Sequence, residues 1–363
     1  MSKAFGDASW SERLLNSSAQ FLFFTMKKIF LSLVAMMVAT VSFAQSSLLA
    51  TLSHEGTIKT YYGAAALKNA HEDAVHGDVI TLSSGSFFAV DITKAITLRG
   101  SGMLLDAEAN REPTVITGDF SLNIPEDVEQ RLTIEGIYSN HKVTYKSVRN
   151  PMFLKSRFLN FHSGDNASII QNAIFVHCKF AAGLYINSNC SASFVNCIIT
   201  NPSTHTDGTG AIEMTNCIVS STDLRYINSA TYKNCYIEGT NSYWPSNVIN
   251  TSCVLYNNVV FEPNLLTYYI ISECPNNTNQ AISSYDSLFK TYQGGWNDTE
   301  TYELTEEAAA KYLGNDGTQI GIYGGNLPFD STPSNPQITK CNVAAKSTAD
   351  GKLSVDITIK AAE

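Results

Sequence analysis

One short phrase recurs between Phe175 and Val260, and it restricts this chain to very few folds. The phrase reads Phe175-Val-His-Cys178-Lys-Phe180, then Phe194-Val-Asn-Cys197-Ile-Ile199, Met214-Thr-Asn-Cys217-Ile-Val219 and Tyr232-Lys-Asn-Cys235-Tyr-Ile237. A last copy, Leu255-Tyr-Asn-Asn258-Val-Val260, puts asparagine where the others have cysteine. Copies about 20 residues apart are the signature of a solenoid, in which each unit buries its apolar face only against its neighbours. Within a copy, a large apolar residue lies three before the cysteine and another two after it. Alternation of this kind marks strands with one buried face. The asparagine sits where the alternation slips by one residue, and Asn tolerates the left-handed backbone region needed to turn a corner. The unit is therefore strand, Asn corner, strand, and such units coil into a parallel β-helix whose identical columns stack inward.

The ladder extends upstream with glycine or serine in the small column. Ser156 lies between Phe153 and Phe158, Gly136 precedes Tyr138, Gly118 lies between Val115 and Phe120, and Gly100 follows Thr97-Leu-Arg. This spacing predicts roughly ten coils, a rod about 50 Å long at the usual strand separation of about 4.8 Å. Ala64 to Val75 is expected to form a helix with Leu67, Ala70 and Ala74 on one face, capping the open bore of the first coil and leaving His71 and His76 on the surface. Thr305 to Leu313 reads as a short helix capped by Thr305. Pro328 to Pro336 reads as a linker, and 338–343 and 353–359 as two strands of a terminal hairpin.

Met26 to Gln45 has the three parts of a secretory signal peptide: Lys27 and Lys28, an apolar stretch from Ile29 to Val41, and a small-x-small cleavage site ending at Ala44. The expected organisation is thus 1–25 as residues ahead of the true start at Met26, 26–44 as signal peptide, 45–76 as an N-terminal strand and capping helix, 77–327 as β-helix, and 328–363 as linker and hairpin. The expected location is outside the cytoplasm: periplasm, cell surface or medium. The net charge of −9 makes nucleic acid a poor partner, and the mature chain carries no expected transmembrane span.

Eight cysteines in an exported chain invite a disulfide reading. Cys178, Cys197, Cys217 and Cys235 share one inward column, however, where side chains that point the same way rarely reach disulfide torsions. They are expected to be free, buried and hydrophobic in character. Cys190, Cys253, Cys274 and Cys341 are scattered, and their state is left open. No Cys-x-x-Cys pair calls for zinc, and no metal or cofactor is expected.

The run Ala66–Leu82 (ALKNAHEDAVHGDVITL) and the phrase Ile96–Gly102 (ITLRGSG) resemble the first and second coils of the right-handed parallel β-helix family related to pectate lyases. Asp286–Phe289, Tyr302–Leu304 and Gly314–Gly325 (GNDGTQIGIYGG) resemble the closing coil of exported bacterial β-helix repeat proteins, and Phe-Ala-Gln at the cleavage site resembles the style of Bacteroidetes secreted proteins. The resemblance covers roughly 60–327. It implies an all-β right-handed parallel β-helix solenoid with an N-terminal capping helix and a C-terminal hairpin, and it leaves function open, because the fold hosts lyases, hydrolases and adhesins.

Acids are sparse in the best-formed coils: between Gln171 and Glu262 they are Asp207, Glu213, Asp223, Glu238 and Glu262, with Lys179, Arg225 and Lys233 as the long basic side chains. The Asp-Asp, Gly-His-Gly and Arg-Ile-Lys phrases of pectate lyases and polygalacturonases are absent. Asp207 and Arg225 share one offset from their ladder cysteines, which suits a surface ion pair. Tyr185, Tyr226, Tyr243 and Trp244 lie between ladder positions and can stack on sugar rings if they share a face. With His205, Asp207, Glu213 and Arg225 they form the candidate ligand-binding set, centred on the polar 201–210 loop. The expected function is an exported, non-catalytic β-helix that binds a glycan or a cell-surface partner. The alternative is a polysaccharide lyase or glycoside hydrolase whose carboxylates converge from separate coils.

Overall fold

The computed structural model describes residues 48–106, 111–187, 190–200, 202–205, 211–222, 230–239, 254–261, 279–295, 297–343, 346–347 and 350–360. Those residues form an all-β parallel β-solenoid of about seven turns. On its first face, Ile80, Leu98, Ile134, Phe153, Phe175, Phe194, Met214 and Tyr232 stand in continuous parallel register. All eight side chains are buried. The middle of the column is an aromatic stack: Phe175 lies 4.5 Å from Phe153 and 4.6 Å from Phe194, with near-parallel rings. On the second face, Phe158, Phe180, Ile199, Val219 and Ile237 form the matching inward column.

The column of small residues does more than fill space. The backbone N–H of Cys178 donates to Cys197 Sγ at 3.4 Å, and that of Cys217 to Cys235 Sγ at 3.3 Å. The N–H of Cys235 donates to Asn258 Oδ1 at 2.9 Å, and that of Asn258 to Asn279 Oδ1 at 3.0 Å. At the tight corner a backbone N–H would otherwise be buried without a partner, and the small polar side chain one coil on accepts from it. This explains why Asn258 can replace cysteine and why Ser156 serves the same role, accepting from the Ile137 N–H. The four ladder cysteines are fully buried and free, as expected, and Cys190 is also a free buried thiol. Cys253 and Cys274 lie outside the described residues. For Cys341 only the backbone is described.

The corners are left-handed as the asparagines predict. His177, Asn196, Asn216, Asn234 and Asn257 have φ between +50° and +55°. Gly136 belongs to this corner column, with φ +66°, and not to the small column. Gly118 is not on the ladder at all: it follows the second-face strand Thr114–Thr117, while Thr97–Arg99 pairs directly with Thr133–Glu135. One long turn therefore spans the interval read as two, which is part of why the rod has fewer turns than the ten expected.

At the N-terminal end, the helix Ala66–Asp73 buries Ala66, Leu67, Ala70 and His71. Beside it the strand Leu49–His54 pairs antiparallel with Val79–Leu82, so the first coil offers no bare edge on this face. His71 is buried at 4% exposure, not on the surface. Its Nε2 accepts from the Thr93 N–H at 3.3 Å, while Lys94 Nζ binds the carbonyl oxygens of His71 and Glu72. His76 is partly buried and accepts from the Ala95 N–H. The strands Gln337–Val343 and Val355–Lys360 form the expected antiparallel hairpin.

Candidate functional site

The last coil strand described is Gln280–Ile282; from Tyr285 the chain lies on the outside of the rod. The second-face strands make this possible. Their outward column runs Val115, Tyr138, Arg157, Lys179, Ile198, Ile218, Tyr236, Val259. In the later coils this column is apolar, and it packs with Phe289, Tyr292, Tyr302, Leu304, Ile320 and Ile322 into a second hydrophobic core. Within this coat Glu238 accepts from the hydroxyls of both Tyr285 and Tyr292, at 2.5 and 2.6 Å. Thr305 caps the short helix Glu306–Lys311, as its sequence predicts.

Beyond the coat, the chain returns along the corners toward the N-terminal end as an extended strap. Asn234 Nδ2 donates to Asn315 Oδ1. Asn196 Nδ2 donates to the carbonyls of Ile322 and Gly324 at 2.7 and 2.9 Å. His177 bonds to the Leu327 carbonyl, Lys155 to Asp330 and the Thr332 carbonyl, and the Ser334 N–H reaches Glu135 Oε1. The segment Gly314–Gly325, expected as a closing coil, is therefore part of this strap, and the Pro328–Pro336 stretch is docked along the rod rather than free of it.

Where the outward column turns from apolar to cationic, the coat and strap leave a groove of about 730 Å³. Its floor carries Tyr138, Arg157, Lys179 and Ile198; its walls carry Asp298, Glu300, Tyr323, Phe329 and Asp330. The Arg157 guanidinium pairs with Asp298 at 2.7 Å and lies over the Tyr138 ring at 4.2 Å. Glu300 is turned toward its own loop, where it accepts from the Thr291 hydroxyl and from the N–H groups of Thr301 and Tyr302. Asp330 is held by Lys155 Nζ and the Thr332 N–H. Lys179 differs from these. It is 4% exposed, its Nζ lies 5.7 Å from the centre of the Phe329 ring, and among the described residues no hydrogen bond or ion pair reaches that nitrogen. Burial, reinforced by the neighbouring Arg157 charge, brings its pKa down to about 8, against the opposing pull of Asp298 and Glu300.

Of the sequence-based candidate set, the described residues are Tyr185, His205 and Glu213. Tyr185 is half exposed and packs its ring on His162 at 4.0 Å, away from the groove. Glu213 lies on the first face, ion-paired with Lys233 at 2.6 Å. His205 ends the strand Pro202–His205, which pairs with Leu184–Asn187; its side chain is not described. Asp207, Arg225, Tyr226, Tyr243 and Trp244, and most of the 201–210 loop, lie outside the described residues, as does the suggested Asp207–Arg225 pair. Among the described residues, no three His, Cys, Asp or Glu side chains group as metal ligands, and no helix is long and apolar enough to cross a membrane.

The groove residues were available to sequence reasoning through one signal. The residue after the small column is Ile198, Ile218, Tyr236 and Val259 in the later copies, and Lys179 in the first. A charge in a column otherwise apolar is a place to look.

The fold and groove together define a β-helix repeat protein with a coated outer face and a partly open cleft. No family model matches the chain, and no curated protein matches it.

Proposed function

We propose that this is an exported, non-catalytic β-helix protein, akin to the pectate-lyase-like solenoids of Bacteroidetes, which binds a glycan in the second-face groove. The observation that carries the reading is the pairing of aromatic and charged groups there. Tyr138, Tyr323 and Phe329 offer ring surface of the kind sugars stack on, beside polar groups that fix orientation. Binding is favoured over hydrolysis because three of the four acids that line the groove are engaged: Asp298 is held by Arg157, Glu300 by its own loop and Asp330 by Lys155. That leaves Glu112, whereas a glycosidase needs two carboxyl groups across the scissile bond.

A glycan array with the wild type, Tyr138→Ala and Tyr323→Ala tests this. Specific retention that both substitutions weaken is the expected result. Metal-dependent release of unsaturated products or reducing ends, or an array without retention, would overturn it. For export, N-terminal sequencing of the cell-free protein is expected to begin at Gln45; a mature form retaining Trp10 would refute the assignment of Met26 as the start.

A further inference from the structure

We propose that the ligand of the groove presents an oxyanion, a carboxylate, sulfate or phosphate ester, to the Lys179 amine. The inference rests on the groove being the glycan site and narrows what that glycan must carry.

Charge is left over on the groove floor. A buried ammonium is costly unless paired and hydrogen-bonded. Of the four groove carboxylates, three are engaged with other groups: Asp298 with Arg157, Glu300 through Oε1 with the Thr291 hydroxyl and its own loop N–H groups, and Asp330 with Lys155; among the described residues no ion pair joins Lys179 to the fourth, Glu112. The Phe329 ring at 5.7 Å is near the outer limit of useful cation–π attraction. The groove floor therefore holds a donor-bearing group with three N–H positions and, among the described residues, no acceptor, opening into a cavity large enough for a sugar or two. A neutral hydroxyl arriving there supplies one acceptor and no charge. An oxyanion supplies both, and Arg157, already stacked on Tyr138, stands next to Lys179 in register to reinforce the field.

Burial also sets the pH response. The other ionisable groups lining the groove are Arg157 and Tyr138 on the floor, Asp298, Glu300, Tyr323 and Asp330 on the walls, and Glu112. An anion raises the Lys179 pKa from its free value of about 8. Affinity is then complete below that value and falls as pH rises through the higher value of the complex.

The test is calorimetric titration with four oligosaccharides of one backbone: neutral, uronate-terminated, 6-sulfated and 6-phosphorylated. It is run on the full chain at pH 7 and pH 10, with wild type, Lys179→Met and Lys179→Arg. At pH 7 at least one anionic form is expected to bind about 10- to 100-fold more tightly than the neutral one, the range of one charge-assisted hydrogen bond. The arms show which oxyanion fits. Lys179→Met is expected to bring the anionic and neutral affinities together, Lys179→Arg to retain part of the preference, and pH 10 to weaken it in the wild type alone. Circular dichroism and a denaturation midpoint confirm that the variants fold. Equal affinity for neutral and anionic forms, or a preference that survives in Lys179→Met, overturns the oxyanion inference and leaves the glycan site standing. Failure of all four to bind the wild type overturns both.

Discussion

Asn196 offers the sharpest test of the strap. Its backbone holds the left-handed corner at φ +50°, and its buried side chain donates to the carbonyls of Ile322 and Gly324. Two roles thus coincide in one residue, and three substitutions separate them. Asn196→Gly keeps the corner and loses both bonds. At about 0.5–1.5 kcal/mol net per bond, the strap is weakened by about 1–3 kcal/mol. In hydrogen exchange that is a loss of protection at 320–325 of about 5- to 150-fold. Asn196→Ala loses the same bonds and adds about 1 kcal/mol for a Cβ in the left-handed region. Asn196→Asp is nearly isosteric but sets carboxylate oxygens against two carbonyls, so it is expected to be the worst of the three. The assay is exchange mass spectrometry on peptides covering 312–336, with limited proteolysis of the same segment. A Gly variant with wild-type protection would show that the side chain does not latch the strap. Equal protection in the Ala and Gly variants would show that the corner is not what constrains residue 196.

The inner stack, the cap and the thiols each give a further expectation. Phe175→Ala removes a ring packed on Phe153, Phe161, Phe180 and Phe194 and is expected to cost about 3–5 kcal/mol; a thermal midpoint within a degree or two of wild type would contradict the stack. Burial, with help from Lys94, lowers the His71 pKa from 6.5 to about 4. Because the folded value is the lower one, its contribution to stability is complete above 6.5 and is lost as pH falls toward 4. Denaturation midpoints of the wild type and His71→Gln should therefore converge over that window, and parallel pH curves would refute it. Burial also pushes the Cys197, Cys217 and Cys235 thiols well above their ordinary range. Iodoacetamide followed by peptide mapping should leave them unmodified in the native protein and label them in guanidinium; labelling at the same rate in both states would place them outside the bore.

The inward half of this architecture is written locally in the chain. Phe175, Cys178 and Phe180 recur as a set because each must meet its copy in the next coil, and Asn196, Asn216 and Asn234 mark corners that few other residues tolerate. The overcounted turn arose because glycine carries several meanings: Gly136 supplies a positive φ at the corner, Gly118 a positive φ on another face, and neither fills the small column. The outward half was only partly legible. Ile198 beside Ile199 and Ile218 beside Val219 break the alternation, as expected of a strand buried on both faces. What covers them could not be read, since Asn196 finds its carbonyl partners 126 and 128 residues away. The ability of a loop aromatic to stack says nothing of which face it occupies: Tyr185 and Glu213 end on separate surfaces, whereas Tyr138, Arg157 and Lys179 share a register column.

That column also predicts a conflict between stability and binding. The coat packs where the outward residue is apolar, and it stops where Lys179 begins the cationic stretch. Lys179→Ile would extend the apolar column by one coil, beside Ile198 and under Phe329, and would remove a charge whose side chain is buried and which has no ion-pair partner among the described residues. Most buried substitutions destabilise; this one is expected to stabilise, on the order of 1–2 kcal/mol at pH 7. The pH dependence identifies the cause. In the wild type the folded pKa of Lys179, about 8, lies below the ordinary lysine value of 10.5. The penalty is therefore complete below pH 8 and disappears as pH rises toward 10.5. The advantage of Lys179→Ile in urea midpoint should shrink over the same interval. A variant that is less stable than wild type at pH 7, or whose advantage is the same at pH 7 and pH 10, would mean that the lysine is satisfied in the folded protein and that the groove is not held open by an unpaired charge.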